Sequence, residues 1–261
     1  MNLPEPVSPG APVAALPPPI GLSAIIPVYN EVDTIEEIVR RLEQVPVIRQ
    51  IVVADDGSRD GTQEIVRRLV AQGRVVACFH ERNRGKGAAL RSGLRLVQEE
   101  YMVIQDADLE YDPRDFQRMV DLIDQRGAEV IYGSRFLGGA RSGMLWTHYL
   151  GNRGLTLLFN LIFRQRLTDM ETCYKLFRTS LLRRLGIDND RFEIDPELTA
   201  KVIRAGYTIY ELPVSYSGRP YVAGKKIKPR DALTAAATLW RYRRWRPRVA
   251  AAEARPAQAV R

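Results

Sequence analysis

Val103-Ile104-Gln105-Asp106-Ala107-Asp108-Leu109-Glu110 is the stretch on which the reading of the whole chain turns. The apolar residues ahead of Asp106 predict a buried strand. That strand ends in two carboxylates spaced i and i+2, with a third acid two residues on. Residues i and i+2 of a strand point the same way, so Asp106 and Asp108 face one site if strand geometry persists. Unpartnered buried charge is costly, and a divalent cation carrying a phosphate ligand would offset it. A polar turn with two solvated acids is the competing reading, and the flanking segments decide between them.

Upstream, the same grammar repeats. Leu22-Ser-Ala-Ile-Ile-Pro-Val-Tyr predicts a strand ended by Pro27, and Asn30 or Asp33 is a candidate N-cap for a helix carrying Ile35, Ile38, Val39 and Leu42. Gln50 to Ser58 predicts a second strand ending in Asp55 and Asp56, followed by a helix through Ile65, Val66, Leu69 and Val70. A short strand over 75–79 leads to Asn83-Arg84-Gly85-Lys86-Gly87 and a helix with Ala88, Leu90, Leu94 and Val97. Downstream, Pro113 and Asp115 open another helix, and 129–132 predicts a fifth strand. Strand, loop and helix in alternation predict a doubly wound α/β sheet of parallel strands. Right-handed crossovers then bring all the strand-end acids to one edge. After Gly133-Ser134-Arg135-Phe136 the rhythm changes. A helix over 146–163, a polar segment over 168–175, a helix from Phe192 to Ile203 and a last strand from Tyr207 are expected.

The chain has 261 residues, 45% hydrophobic and 27% charged, with a net charge of +8. That charge is local: Arg219 to Arg248 holds ten Lys or Arg against one acid. An anionic partner near the end of the chain follows, a phosphate or an acidic membrane surface. No finger, homeodomain or RNP-like pattern accompanies the charge, so nucleic acid is not an expected partner. Residues 1–20 are Pro-rich and read as a disordered leader, and 231–261 as a basic helix and tail with four arginines between Arg241 and Arg246. Cys78 and Cys173 lack metal-ligand spacing and read as reduced thiols. No apolar run is long enough to span a membrane and no secretory signal is apparent, so a cytoplasmic, peripheral location is expected.

Several segments carry a chemical reading of their own. Asp55 offers an acceptor to a base or ribose, and Asp56-Gly57-Ser58 a tight turn. Gly85 and Gly87 permit close backbone approach while Lys86 supplies positive charge. Together, "IIPVYNE", "VADDGSRDGT", "RNRGKGAALRSGL", "QDADLEYDP", "YGSRF", "TDMETCYKLF" and "FEIDPEL" resemble glycosyltransferase family 2, in the branch of dolichol-phosphate mannose synthase and bacterial polyprenyl-phosphate relatives. The resemblance runs over residues 22–230. It implies an α/β GT-A fold, Rossmann-like, with a mixed, mostly parallel sheet flanked by helices. It also implies an inverting hexosyltransferase using Mg²⁺ or Mn²⁺.

On this resemblance Pro27, Tyr29, Asn30, Glu31, Asp55, Asp56, Lys86, Asp106 and Ala107 bind the nucleotide sugar, GDP- or UDP-linked. Asp106, Asp108 and Glu110 are metal-associated, Asp108 foremost. Arg135 meets the diphosphate or the acceptor phosphate. Lys175, Arg219, Lys225 and Lys226 hold the phosphate of a polyprenyl acceptor, and Glu193 and Asp195 line the sugar pocket or begin a helix. Asp169 is open between general base, acceptor positioning and structural hydrogen bonding. Two other functions stay in view, the same fold acting on a soluble glycan, metabolite or protein acceptor, and a non-catalytic nucleotide-sugar binder.

Overall fold

The computed structural model describes residues 20–138, 141–142, 146–218 and 229–247. Strand β1 (Leu22–Val28) is followed by α1 (Ile35–Glu43), β2 (Ile48–Asp55), α2 (Thr62–Ala71), β3 (Val76–Phe79), α3 (Lys86–Gly93) and β4 (Tyr101–Ile104). A 3₁₀ turn at Pro113–Asp115 opens α4 (Phe116–Arg126), then β5 (Val130–Ser134), the two-residue β6 (Arg141–Ser142) and α5 (Trp146–Phe163). The second half adds β7 (Lys175–Arg178), α6 (Thr179–Leu185), α7 (Ile194–Arg204), β8 (Tyr210–Pro213), β9 (Tyr216–Ser217) and α8 (Pro229–Tyr242).

The main sheet has seven strands in the order β3-β2-β1-β4-β7-β5-β8. Alternation explains its layering. In β1, Ala24 and Ile26 face a core built with α1, α2 and α4, whereas Ile25 faces a second core built with α3, α6 and α7. Both faces of the strand are covered, so it reads as a continuous apolar run. A third cluster joins Phe159 and Phe163 of α5, Ala200 of α7, and Leu239 and Tyr242 of α8.

The structure departs from the sequence expectations in four places. All main-sheet strands are parallel except β7, which runs antiparallel between β4 and β5. Pro27 does not end β1. Pairing of β1 with β4 stops at Ile25, so by Pro27 only β2 remains as a neighbour and the missing N–H is tolerated. The N-cap of α1 is Thr34, with no side-chain capping bond, rather than Asn30 or Asp33. Asn30 instead lies at φ 53° and joins two loops. Finally, β4 ends at Ile104, so Asp106 and Asp108 lie in a turn and the strand argument for a shared direction does not apply. Residues 1–19 of the expected leader, and Arg219, Lys225 and Lys226, fall outside the described residues.

Candidate active site

Parallel strands deliver their carboxyl ends to one edge, and the loops there are tied to one another by backbone donors. The N–H of Asn30 donates to Ser58 Oγ at 2.9 Å, that of Glu31 to Thr62 Oγ1 at 3.0 Å, and that of Arg59 to Asn30 Oδ1 at 2.9 Å. Pro27, Tyr29, Asn30 and Glu31 are thereby fixed against the Asp55–Thr62 turn. Asp55 closes β2 and is fully buried. Its Oδ1 accepts from the N–H groups of Gly57 and Ser58, both at 3.0 Å, and from Gln63 Nε2 at 2.7 Å. Its Oδ2 has no partner. Among the described residues only one other buried side-chain oxygen is in that position, Oε1 of Glu171. A buried acceptor left unmet costs about 1–3 kcal/mol, so each marks a place where a donor is wanted.

Asp56 is spent internally. Its Oδ1 accepts from His80 Nδ1 at 2.7 Å, and its carboxylate takes the N–H groups of Arg84 and Gly85. The adjacent glycines also serve the protein itself. A Cβ at Gly85 would meet the Asp190 carbonyl oxygen at 2.4 Å, and one at Gly87 the Asn189 carbonyl oxygen at 2.2 Å. Ala88 N–H donates to Asp190 O at 3.0 Å. The close approach predicted for this loop is therefore to the chain's own 189–190 backbone.

Lys86 leads out of that loop, and its Nζ pairs with Asp106 Oδ1 at 2.7 Å and lies 3.4 Å from Cys173 Sγ. Burial opposes the charge of both partners. Lys86 nonetheless holds the Asp106 carboxyl below the usual carboxylate range, and Asp106 raises the Lys86 ammonium well above its own. After Ala107, Asp108 Oδ1 accepts from Glu110 N–H at 3.1 Å across Leu109, which sits at φ 60°. A left-handed leucine is strained, and the strain turns the chain sharply between the two acids. Glu110 Oε2 accepts from Tyr216 OH at 2.8 Å. Among the described residues no three carboxylate, imidazole or thiol groups already converge as a cation cage.

Arg135 and Asp169 form a buried, two-pronged pair, Nε to Oδ2 at 2.7 Å and Nη2 to Oδ1 at 2.8 Å, with Arg135 N–H adding a third bond at 3.0 Å. Both Asp169 oxygens are occupied. The pair holds Arg135 in place and does not use its Nη1. Glu211 of β8 holds the same loop through the N–H groups of Thr168 and Asp169. Lys175, expected on an acceptor phosphate, is fully buried. It is bonded to Asp195 and the Thr172 carbonyl, and its ammonium lies 4.9 Å from the Tyr132 ring centre. A buried, paired ammonium does not reach an incoming phosphate, so that role is not met. Asp195 is that lysine's counter-charge in the first turn of α7, and Glu193 is the residue preceding the helix.

Sequence reasoning passed over Glu171. Burial, with repulsion from Asp195 and only partial relief from Lys175 and Arg135, pushes its carboxyl up to about 7. Its position inside "TDMETCYKLF" was the one available signal, since spacing says nothing of which acid ends up paired.

Comparison with known proteins extends from this geometry. A family model described as Glycosyl transferase family 2 matches residues 23–186, which covers β1 through α6. An uncharacterized protein of Methanocaldococcus jannaschii is 28% identical over 73% of this chain and 79% of its own. In Haloferax volcanii, glycosyltransferase AglJ is 26% identical over 82% of this chain and 69% of its own. Glycosyltransferase AglD, also of Haloferax volcanii, is 28% identical over 78% of this chain, which spans 34% of that longer protein. Glucosyl-3-phosphoglycerate synthase of Mycobacterium tuberculosis, solved with uridine diphosphate, superposes with a TM-score of 0.65 at 20% identity. That alignment covers 86% of this chain and 80% of the other, and it establishes a shared GT-A-like architecture. The family match spans β2 with Asp55 at its end, the turns after β4 and β5 that hold Asp106 and Arg135, and β7, which opens at Lys175, and the chain belongs to glycosyltransferase family 2.

Proposed function

We propose that the protein moves a hexose, mannose or glucose, from a GDP- or UDP-linked donor to a polyprenyl phosphate at the cytosolic face of a membrane, with inversion at the anomeric carbon. The observation that carries the donor side is the unpartnered Asp55 Oδ2. The other oxygen of that carboxylate is bonded to Gly57, Ser58 and Gln63, which line a cleft of about 340 Å³ with Arg59, Arg67, Phe79 and His80. A nucleobase ring N–H supplies the missing donor, and the Phe79 ring a stacking surface. Asp106, Asp108 and Glu110 offer oxygen donors only, the type that suits Mg²⁺ or Mn²⁺, and since they do not converge by themselves the donor diphosphate would have to supply further oxygens. When bound, such a cation would offset charge on the departing nucleoside diphosphate.

The protein's own residues do the rest. Lys86, held at Asp106, sets positive charge beside the diphosphate. Arg135 presents Nη1 from a guanidinium fixed by Asp169, a preorganised contact for developing phosphate charge. The acceptor oxygen then attacks C1 in line from the opposite side. The relatives lend support: the mycobacterial synthase has been solved with Mn²⁺ and uridine diphosphate glucose. A panel of nucleotide sugars, assayed with and without Mg²⁺ for transfer to a short polyprenyl phosphate, tests the reading. An extractable lipid-linked product that vanishes with EDTA and in Asp108→Ala is expected. Transfer only to soluble hydroxyl compounds would overturn the acceptor assignment.

A second reading has one observation in its favour. A carboxyl raised to about 7 and lacking a partner, as at Glu171, is matched to taking a proton from a hydroxyl. A phosphate acceptor is already ionised. A hydroxyl acceptor predicts that kcat/KM rises with pH through 7 and that Glu171→Gln abolishes the rise, whereas a phosphate acceptor predicts neither.

A further inference from the structure

The six most exposed large apolar side chains among the described residues all lie on two helices. Trp146, Leu150, Leu157 and Leu161 belong to α5, and Leu233 and Trp240 to α8, with exposures from 54% at Leu150 to 76% at Leu233. Spacings of four, seven and four place the α5 residues along one face, and seven places the α8 pair on one face. The opposite faces are accounted for, since Phe159, Phe163, Leu239 and Tyr242 bury against α7. Trp146 to Leu161 runs about 22 Å at 1.5 Å per residue.

Acids are scarce along both helices, since α5 has none and α8 has only Asp231 near its start. Where the helices end, Arg164, Arg204 and Arg243 line a cavity of about 440 Å³ with Ile162, Phe163 and Gly206. No acid is among its lining residues, and none of the three arginines pairs with a carboxylate among the described residues. Two are oriented by carbonyls instead, Arg204 Nε by Trp245 O at 3.2 Å and Arg243 Nη1 by Trp240 O at 2.5 Å. Arg243 also stacks on Trp240, 3.6 Å from its ring centre. Arg164 sits at φ 54°, left-handed backbone that turns the chain directly after α5.

We propose that the α5–α8 face seats the protein on an anionic phospholipid bilayer, with a lipid phosphate held among Arg164, Arg204 and Arg243. Leucines reach the acyl boundary, Trp146 and Trp240 take the amphipathic interface position, and the arginines meet the phosphates. Charge complementarity favours a lipid over a protein partner, because three unpaired guanidiniums around one cavity match a phosphate monoanion or diester. The seat also points toward the chemistry. The Tyr149 ring packs on Phe136 at 5.3 Å, and Arg153 lies over Phe136 while donating to the Thr168 carbonyl at 3.3 Å. The N-terminal half of α5 thus touches the loops that carry Arg135 and Asp169, so a membrane-borne acceptor arrives beside them. This rests on the membrane reading proposed above, and it assigns the contact to two helices and one cavity.

Co-sedimentation with phosphatidylcholine vesicles, with and without phosphatidylglycerol, provides the test. Wild type is expected on the anionic vesicles only. Replacing Arg164, Arg204 and Arg243 with Ala is expected to weaken that partition roughly a hundredfold, since each basic residue contributes about a factor of five. Leu161→Ser, at a side chain already in solvent, is expected to weaken it as well, with thermal melts unchanged in both variants. A triple variant or Leu161→Ser that binds as wild type does overturns the seat while leaving membrane binding intact. Wild type that ignores every vesicle overturns the membrane reading itself. Wild type that binds inorganic phosphate through these arginines yet ignores vesicles makes the cavity a free-phosphate site and overturns the lipid assignment.

Discussion

Replacing Glu171 with Gln isolates the electrostatic cost of the one unpartnered acid in the Asp169–Lys175 loop. Its carboxyl rises from 4.5 to about 7 on folding, chiefly through burial. At about 1.4 kcal/mol per unit, that rise corresponds to about 3 kcal/mol. Below pH 4.5 the group is neutral in both folded and unfolded chains, and the native state keeps its full stability. As pH climbs, the unfolded chain releases its proton first, so the native state loses stability until Glu171 itself ionises near 7. Urea unfolding of wild type and Glu171→Gln at pH 5, 6, 7 and 8 reads this directly. The wild type's stability relative to the variant should fall by about 2.5 kcal/mol across that range, the rest being lost below pH 5, and then level off. A constant offset at low pH only reports how the amide packs. Curves that stay parallel to within about 0.5 kcal/mol, the scatter of ordinary surface changes, would refute the account of Glu171 as an acid whose buried Oε1 lacks a donor.

Other perturbations bear on neighbouring parts of the site. Asp169→Asn strips the counter-charge from buried Arg135 and should destabilise by about 3–5 kcal/mol in urea unfolding; a loss under 1 kcal/mol would mean the pair is solvated. In Gly87→Ala, a Cβ 2.2 Å from the Asn189 carbonyl should lower stability by about 1–3 kcal/mol, seen as a reduced Tm, and an unchanged Tm would show that the 189–190 loop yields freely. Asp55→Asn replaces a charged acceptor and should weaken nucleoside diphosphate binding by about tenfold or more in calorimetry. Equal affinity in the mutant would remove Asp55 from the base-binding role.

The architecture was legible because its signals are periodic. Residues 22–28 alternate between two cores that are both apolar, and α5 begins at Trp146 and ends at Phe163 where the spacing places it. Strand β7 was not legible. Lys175 reads as a cation for an acceptor phosphate, and nothing in Leu176-Phe177 says that this short run slots between β4 and β5 rather than following the previous strand. The site was legible as a set of loops and less so as a set of roles. Asp55 and Asp56 are adjacent and chemically identical, yet one keeps an oxygen open and the other spends both on the Arg84–Gly85 backbone. Gly85 and Gly87 read as a cradle for a ligand because a glycine reports close approach without naming what approaches. Asp106 and Asp108 read as same-facing only while a strand persisted, and β4 ends at Ile104, before either of them.

The antiparallel strand also governs how the molecule is made. Met102 of β4 pairs with Phe177, so the centre of the sheet waits for the second half of the chain. A nascent polypeptide that has emerged only through α5 carries β4 and β5 with open edges facing each other across an empty slot. Such edges recruit other chains, and pairing this distant in sequence closes slowly. The half that holds Asp55, Lys86 and Asp106 is therefore not a detachable nucleotide-binding module. Cutting at the glycine-rich segment after Phe136 would leave a sheet that invites aggregation rather than a smaller working unit.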